Sequence, residues 1–319
     1  MDLLIDIGGT NARVCAVEKD RLSAPCRYKT AGYKSASDLL AAYLHETGAS
    51  GVSRVFLAVA GPVSDGCAEL TNADFSVDAA ALKKAFRLSD SAVLNDLEAL
   101  AYNLADPSGL NAIALTPAAP APGKTSIVVA PGTGLGLAAR VIKDGRVTIV
   151  GTQGGHVRAA PSTPVEFDLC AMMSRNDDYL CAEDLLSGPG MTKIYAGLSA
   201  LKGGGTKTAP PDARTPDARS IVSRALAGSD PLATETIDIY LSMLGSYCGD
   251  MALVFLSYGG VYLAGNIING LAPLIGESRL APSFLNKGLM APLMGEIGFG
   301  RLPMQEPVLE GLKVFAQQR

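Results

Sequence analysis

The stretch LLIDIGGTNARVCAV, residues 3–17, decides the fold. An apolar run meets Gly8-Gly9-Thr10, and alternating apolar positions resume beyond it. A strand, a tight glycine turn and a second strand make a hairpin. The same grammar returns at residues 126–142, SIVVAPGTGLGLAARVI, with Gly132 to Gly136 at the turn. A second pair of segments also matches: RVFLAVAGPV at 54–63 and GGVYLAGNII at 259–268. Each reads as a buried strand running into a glycine-centred turn. A hairpin, helix, strand and turn that occur twice imply a divergent duplication of one α/β unit.

Helices fit between these strands. SASDLLAAYLHETG offers Ser37 as N-cap, apolar residues at helical spacing, and Gly48 as the stop. SVDAAALKKAF and NDLEALAYNLA read as helices too, the second directly after the strand SAVL. The Pro-rich TPAAPAPG, residues 116–123, is expected to link the halves. LKGGGTKTAPPDARTPD, residues 201–217, is expected to be a surface loop. PVLEGLKVFAQQR reads as an amphipathic helix able to pack back on the first half. The apolar stretch 237–258 carries Asp238, Asp250 and two glycines, which fits a buried core helix better than a membrane span.

Composition narrows the function class. A chain of 319 residues exceeds a typical single core, so two domains are expected. Hydrophobic content of 48% with 18% charge describes a well-cored globular chain. A net charge of −4 argues against nucleic acid or an anionic membrane as the partner, since both need a basic face. The six cysteines form no C-x-x-C pair and read as reduced, packed thiols in the cytoplasm. Two histidines and no cysteine cluster offer little to a transition metal. The start, MDLLIDIGGT, has no basic region of the kind that begins a signal peptide.

Several motifs carry chemistry, each beside a plainer explanation. A Gly-Thr-rich turn presents several N–H groups and a hydroxyl in one concavity, a nest for phosphate oxygens; otherwise it is only a turn. GKT at 123–125 is no P-loop, because Ala118 stands where the first glycine is needed and a strand follows. GTGLG leads into a strand, so it is no Rossmann fingerprint. Asn95-Asp96 sits where a strand ends and a helix starts. Either residue could simply cap that helix, yet a carboxylate there can also accept a proton from an attacking alcohol. VGTQGGHVR, residues 150–158, places His156 behind Gly154-Gly155, a pair that would let the backbone crowd a small ligand. In AEDLLSGPG, Glu183 or Asp184 either lies on a helix face or reaches a cleft. His45, at the end of the first helix, is assigned no role.

In order along the chain, IDIGGTNARV, AVAGPV, LTNADFSVDAAALKKAF, LNDLEALAYNL, GTGLG, GGHV, AEDLLSGPG and GGVYLAG resemble the bacterial glucokinases of the hexokinase/actin-like ATPase superfamily. The resemblance covers nearly the whole chain. It implies an α/β fold of duplicated ribonuclease-H-like (actin/hexokinase-like) domains flanking a cleft that closes on sugar. The small domain would span 1–108 with the C-terminal helix 305–319 packed on it, and the large domain 109–304. It implies transfer of the ATP γ-phosphoryl group to the 6-hydroxyl of glucose, in a cytoplasmic enzyme expected to be a homodimer.

Residue by residue, Asp96 matches the general base and Asn95 a hydroxyl-binding amide. His156 and Glu183 match groups that bind the sugar near its anomeric end, with Gln153 beside them. Gly8, Gly9, Thr10 and Asn11, and Gly132, Thr133 and Gly134, match the turns that receive nucleotide phosphates. Gly265 matches a turn near the adenosine, and Asp6 the acid that faces Mg²⁺ through water. This chain departs from the family pattern in four places: Gln153 replaces a glutamate, Arg158 an acid, Asn266 a glycine, and PVLEGL matches the usual C-terminal motif only in part. Gln binds hydroxyls without charge assistance, a loss of roughly 1–2 kcal/mol in sugar affinity. The alternatives are a kinase for another hexose or an N-acetylhexosamine, a sugar-binding regulatory homologue, and an ATPase acting on a protein.

Overall fold

The computed structural model describes residues 1–70, 74–105, 111–174, 179–203, 215–303 and 306–319. Asn72, within the LTNADF motif, lies outside them, as does most of the 201–217 segment. The chain divides into two compact units, 1–106 with 304–319, and 107–303. The expected boundaries at 108 and 304 fall on residues outside the described set.

The first unit is built on β1 (Asp2–Ile7), β2 (Asn11–Glu18), β3 (Arg21–Leu22), β4 (Cys26–Lys29), β5 (Arg54–Val59) and, beyond a small sheet of β6 (Val63–Ser64), β7 (Cys67–Glu69) and β8 (Ser76–Asp78), β9 (Asp90–Asn95). The order is β3-β2-β1-β5-β9, with β4 also pairing β2. β1 and β2 are antiparallel, whereas β5 and β9 join in parallel. Parallel neighbours need crossovers, here carrying α1 (Ala36–Thr47) and α2 (Ala79–Ala85).

Alternation along β1 explains the layers. Leu3, Ile5 and Ile7 pack with Leu39 and Leu40 of α1. Leu4, on the opposite face, packs with Phe56 and with Leu309, Leu312 and Phe315 of the C-terminal helix (Pro307–Gln317). That helix also lies against α3 (Asp96–Tyr102), so closely that a Cβ on Gly311 would sit 1.8 Å from the Ala99 carbonyl oxygen. The N-cap of α1 is Ser35, not Ser37: the Ser35 hydroxyl accepts from the Asp38 N–H. Ser37 lies inside the helix, because the cap must stand one residue before the first helical turn. Gly48 ends it with a left-handed φ of 66°.

The second unit repeats the plan. Its sheet runs β10 (Ile113–Ala114), β15 (Phe299–Arg301), β14 (Val261–Leu263), β11 (Ser126–Pro131), β12 (Leu135–Lys143) and β13 (Arg146–Gly151). β11 and β12 form the antiparallel hairpin, and β14 and β15 join in parallel. The Pro-rich 116–123 stretch is not the linker. The Thr116 hydroxyl accepts from the Phe299 N–H, and the Ala121 N–H donates to the Tyr258 carbonyl, so the stretch is stitched into this unit.

Among the described residues, eight α-helices complete it: α4 (Pro164–Met173), α5 (Glu183–Leu186), α6 (Gly188–Lys202), α7 (Ala218–Leu226), α8 (Pro231–Phe255), α9 (Asn266–Ile275), α10 (Leu280–Leu285) and α11 (Ala291–Met294). The long α8 is the core helix, and its glycines have a packing reason. A Cβ on Gly245 or Gly249 would strike the Leu280 or Phe284 carbonyl oxygen of α10, at 2.0 and 2.6 Å. Among the described residues, no helix is long and apolar enough to cross a membrane. All six cysteines are free; Cys15, Cys181 and Cys248 are buried, while Cys67 is exposed, contrary to the expectation of uniform packing.

Candidate active site

In the first unit, β1 delivers Asp6 to the edge of the sheet and the chain turns through Gly8-Gly9-Thr10. The Gly8 N–H closes that turn on the Asn11 carbonyl at 3.0 Å. Buried Thr30 anchors it from beneath, its hydroxyl donating to the Gly8 carbonyl at 2.7 Å and its N–H to that of Thr10 at 3.1 Å. Lys29 Nζ donates to Asn11 Oδ1 at 3.0 Å. A Cβ on Gly9 would meet nothing within 4 Å, and its φ is not left-handed. Neither packing nor backbone geometry demands glycine there; what its absent side chain leaves is open space beside the turn.

Asp6 is 6% exposed and faces Arg13 across the hairpin, where Arg13 Nη1 donates to Asp6 Oδ2 at 2.6 Å. Arg13 Nε stands 3.2 Å from Glu306 Oε2, near enough for ion pairing though not aligned as a hydrogen bond. Glu306 also receives Arg27. Burial pushes the Asp6 carboxyl above the usual carboxylate range, against the pull of Arg13.

Asn95 and Asp96 stand where β9 passes into α3. The capping explanation holds for Asn95: its Oδ1 accepts from the Leu97 N–H at 2.9 Å, and Glu98 answers from the third helical position. Its Nδ2 donates to the Gly61 carbonyl at 2.9 Å, tying the helix start to the loop after β5. Asp96 Oδ1 also accepts from Leu97 N–H, at 2.9 Å. Burial first, and the Asp6 charge second, push Asp96 up to about 7. A carboxyl titrating near neutrality is suited to taking a proton and giving it up again.

In the second unit, the β11–β12 turn and the acid after it are in contact. Gly132 N–H donates to the Gly134 carbonyl, and Gly188 N–H, at the start of α6, to that of Gly132, both at 2.8 Å. Glu183 Oε2 accepts from Leu135 N–H at 2.8 Å, and a Cβ on Gly134 would come within 2.5 Å of it. Gly132, like Gly9, has open space where a side chain would be. Gly265 precedes α9 with φ 102°, a conformation that requires glycine, and lies against the Pro131 carbonyl at the end of β11. The β11–β12 turn and Gly265 therefore share one end of this sheet.

The His156 segment follows β13. Gln153, His156 and Arg158 are exposed, and the Gln153 carbonyl closes the turn by accepting from His156 N–H at 2.9 Å. Gly154 and Gly155 have another reason than the one expected. Their Cβ atoms would strike Leu137 Cδ2 at 2.4 Å and the Leu135 carbonyl oxygen at 2.2 Å. The pair lets the loop lie flat on β12, and the room it makes faces the sheet. Residues 157–159 run beside 180–182, with Ala182 N–H on the Val157 carbonyl at 2.8 Å and Ala159 N–H on that of Leu180 at 3.0 Å. This holds His156 near Glu183. Asp184, the other acid considered, pairs instead with Lys193 at 2.9 Å.

Sequence reasoning missed Arg13, Thr30 and Glu306. Arg13 was recoverable, because pairing the hairpin around its glycine turn sets it opposite Asp6. Thr30 and Glu306 reach the turn through folding alone, and no local signal marks them.

The family model for glucokinase matches residues 3–319. A glucokinase of Caulobacter vibrioides is 33% identical over 301 residues, covering 91% of this chain and 87% of its own. The structure of a glucokinase from an Antarctic psychrotroph superposes with a TM-score of 0.86 at 26% identity, covering 100% of this chain and 99% of that one. The glucokinase of Balamuthia mandrillaris, solved with glucose, shares the fold at a TM-score of 0.80 and 21% identity, over 99% and 93% of the two chains.

Proposed function

We propose, for a chain that belongs to the glucokinase family and is thus a sugar kinase, that Asp96 takes the proton of the glucose 6-hydroxyl as that oxygen accepts the ATP γ-phosphoryl group. The carrying observation is the half-buried carboxyl of Asp96, set just past the end of β9 and fixed by Leu97 N–H, where desolvation pushes it up to about 7. ADP leaves, and the proton passes from Asp96 to solvent.

The turns at Gly8–Asn11 and Gly132–Gly134 supply to the phosphates N–H groups other than those of Gly8 and Gly132, which close the turns themselves, and the open space at Gly9 and Gly132 supports this. Gly265 gives the adenosine a side free of any Cβ. His156 and Glu183 hold the sugar near its anomeric carbon, with Gln153 adding an amide and Asn95 fixing the loop and helix about Asp96. An Mg²⁺ that arrives with nucleotide would need only one or two protein carboxylates, and Asp6 would be the residue to hold it, through water. When bound, the ion neutralises charge on the phosphates. The reading includes a homodimer in the cytoplasm, the latter supported by six free thiols. The test is ATP-dependent formation of glucose 6-phosphate, abolished by Asp96→Asn with glucose binding retained.

A further inference from the structure

A chain of polar contacts leads from Lys193 to the loop that carries His156. Lys193 Nζ donates to Asp184 Oδ1 at 2.9 Å. Asp184 Oδ2 accepts from both the N–H and the thiol of Cys181, each at 3.1 Å. Cys181 Sγ then stands 3.9 Å from Nδ1 of His156. Cys181 is 8% exposed, on the segment that runs beside 157–159.

A thiol has one proton to give. The nearer and stronger acceptor is the carboxylate, so the proton points to Asp184 and the sulfur turns a lone pair toward His156. Burial and the Asp184 hydrogen bond raise the Cys181 thiol above its ordinary range, so it stays protonated and keeps this donor role. Against the opposing effect of burial, hydrogen bonds from Lys193 and Cys181 hold Asp184 below the usual carboxylate range, so it stays an acceptor. A ring nitrogen facing a lone pair carries the hydrogen, and the partner of one nitrogen sets the state of the other.

We infer that Cys181 is a positioning residue that fixes His156 as the Nδ1–H tautomer, leaving Nε2 unprotonated to accept a hydrogen bond from a sugar hydroxyl. This rests on His156 as a sugar-binding residue. Unlike a bare exposed imidazole, which samples both tautomers, a ring held this way meets the sugar already set as an acceptor.

The test measures tautomer and kinetics separately. The chain has two histidines, and His45 is exposed on α1. ¹⁵N spectra of the ring nitrogens therefore show two imidazoles, assigned with His45→Gln. In the wild-type chain without sugar, His156 should show a protonated Nδ1 and a bare Nε2. Cys181→Ala should give mixed tautomers and raise the glucose KM about three- to tenfold with kcat nearly unchanged. Cys181→Ser, which keeps donor and acceptor, should restore most of both. Asp184→Asn, which keeps the volume, should shift His156 toward Nε2–H and guards against a packing defect in Cys181→Ala. A His156 tautomer identical in the wild type, Cys181→Ala and Asp184→Asn overturns the inference, and so does an Nε2–H wild type. Failure of the wild type to phosphorylate any hexose would instead overturn the kinase reading, since the ¹⁵N result does not depend on turnover.

Discussion

Replacing Asp96 by Asn should remove the reaction and stabilise the fold, each by an amount the structure fixes. Asn keeps an oxygen for the Leu97 N–H, so the helix start survives. It loses the base, a factor of roughly 10²–10⁴ in kcat, or about 3–5 kcal/mol of barrier. It also loses a charge that the fold disfavours. With Asp96 at about 7 instead of its ordinary 3.8, the native state binds the proton more tightly than the unfolded chain does. Stability from this group is therefore full below pH ~4, falls as pH rises, and is lost above about 7. The whole shift would correspond to about 4 kcal/mol; residual solvent contact at this half-buried side chain brings it to roughly 2–4. Thermal melts at pH 4 and pH 8 should show equal stability at the lower pH and a higher Tm for the variant at the upper. The wild-type kcat/KM should fall tenfold per pH unit well below an apparent value near 7. Near-native kcat in Asp96→Asn, or no gain in Tm at pH 8, would refute the reasoning.

Other substitutions separate site from scaffold. Gln153→Glu restores charge assistance toward sugar hydroxyls and should lower the glucose KM by about 5–30-fold, read from saturation curves. Gly9→Ala fills open space, so Tm should hold within about 0.5 kcal/mol equivalent while the ATP KM rises severalfold. Gly311→Ala drives a methyl into the Ala99 carbonyl and should cost about 1–3 kcal/mol or more in denaturant unfolding.

The hairpins were legible because each glycine turn lies between apolar runs long enough to be strands, and burial on both faces of β1 follows from LLIDI itself. The helix at Asn95 was legible from the strand before it and from Asn95-Asp96, residues that cap helices well. Other features lay beyond local pattern. The Pro-rich stretch reads as a linker by composition, yet Thr116 and Ala121 have partners about 180 and 140 positions away, at Phe299 and Tyr258. Gly154-Gly155 looked like room for a ligand, and only packing against Leu135 and Leu137 reveals what it serves. Asp6 could be seen at its turn, but the Arg13–Glu306–Arg27 cluster that braces it needs the C-terminal segment brought home.

The most direct measurement is a coupled assay of the wild-type chain with ATP and Mg²⁺ over glucose, mannose, fructose and N-acetylglucosamine, with the product identified. The expected product is glucose 6-phosphate, with glucose giving the highest kcat/KM of the panel. No phosphorylation of any hexose, or a clear preference for N-acetylglucosamine over glucose, would contradict it.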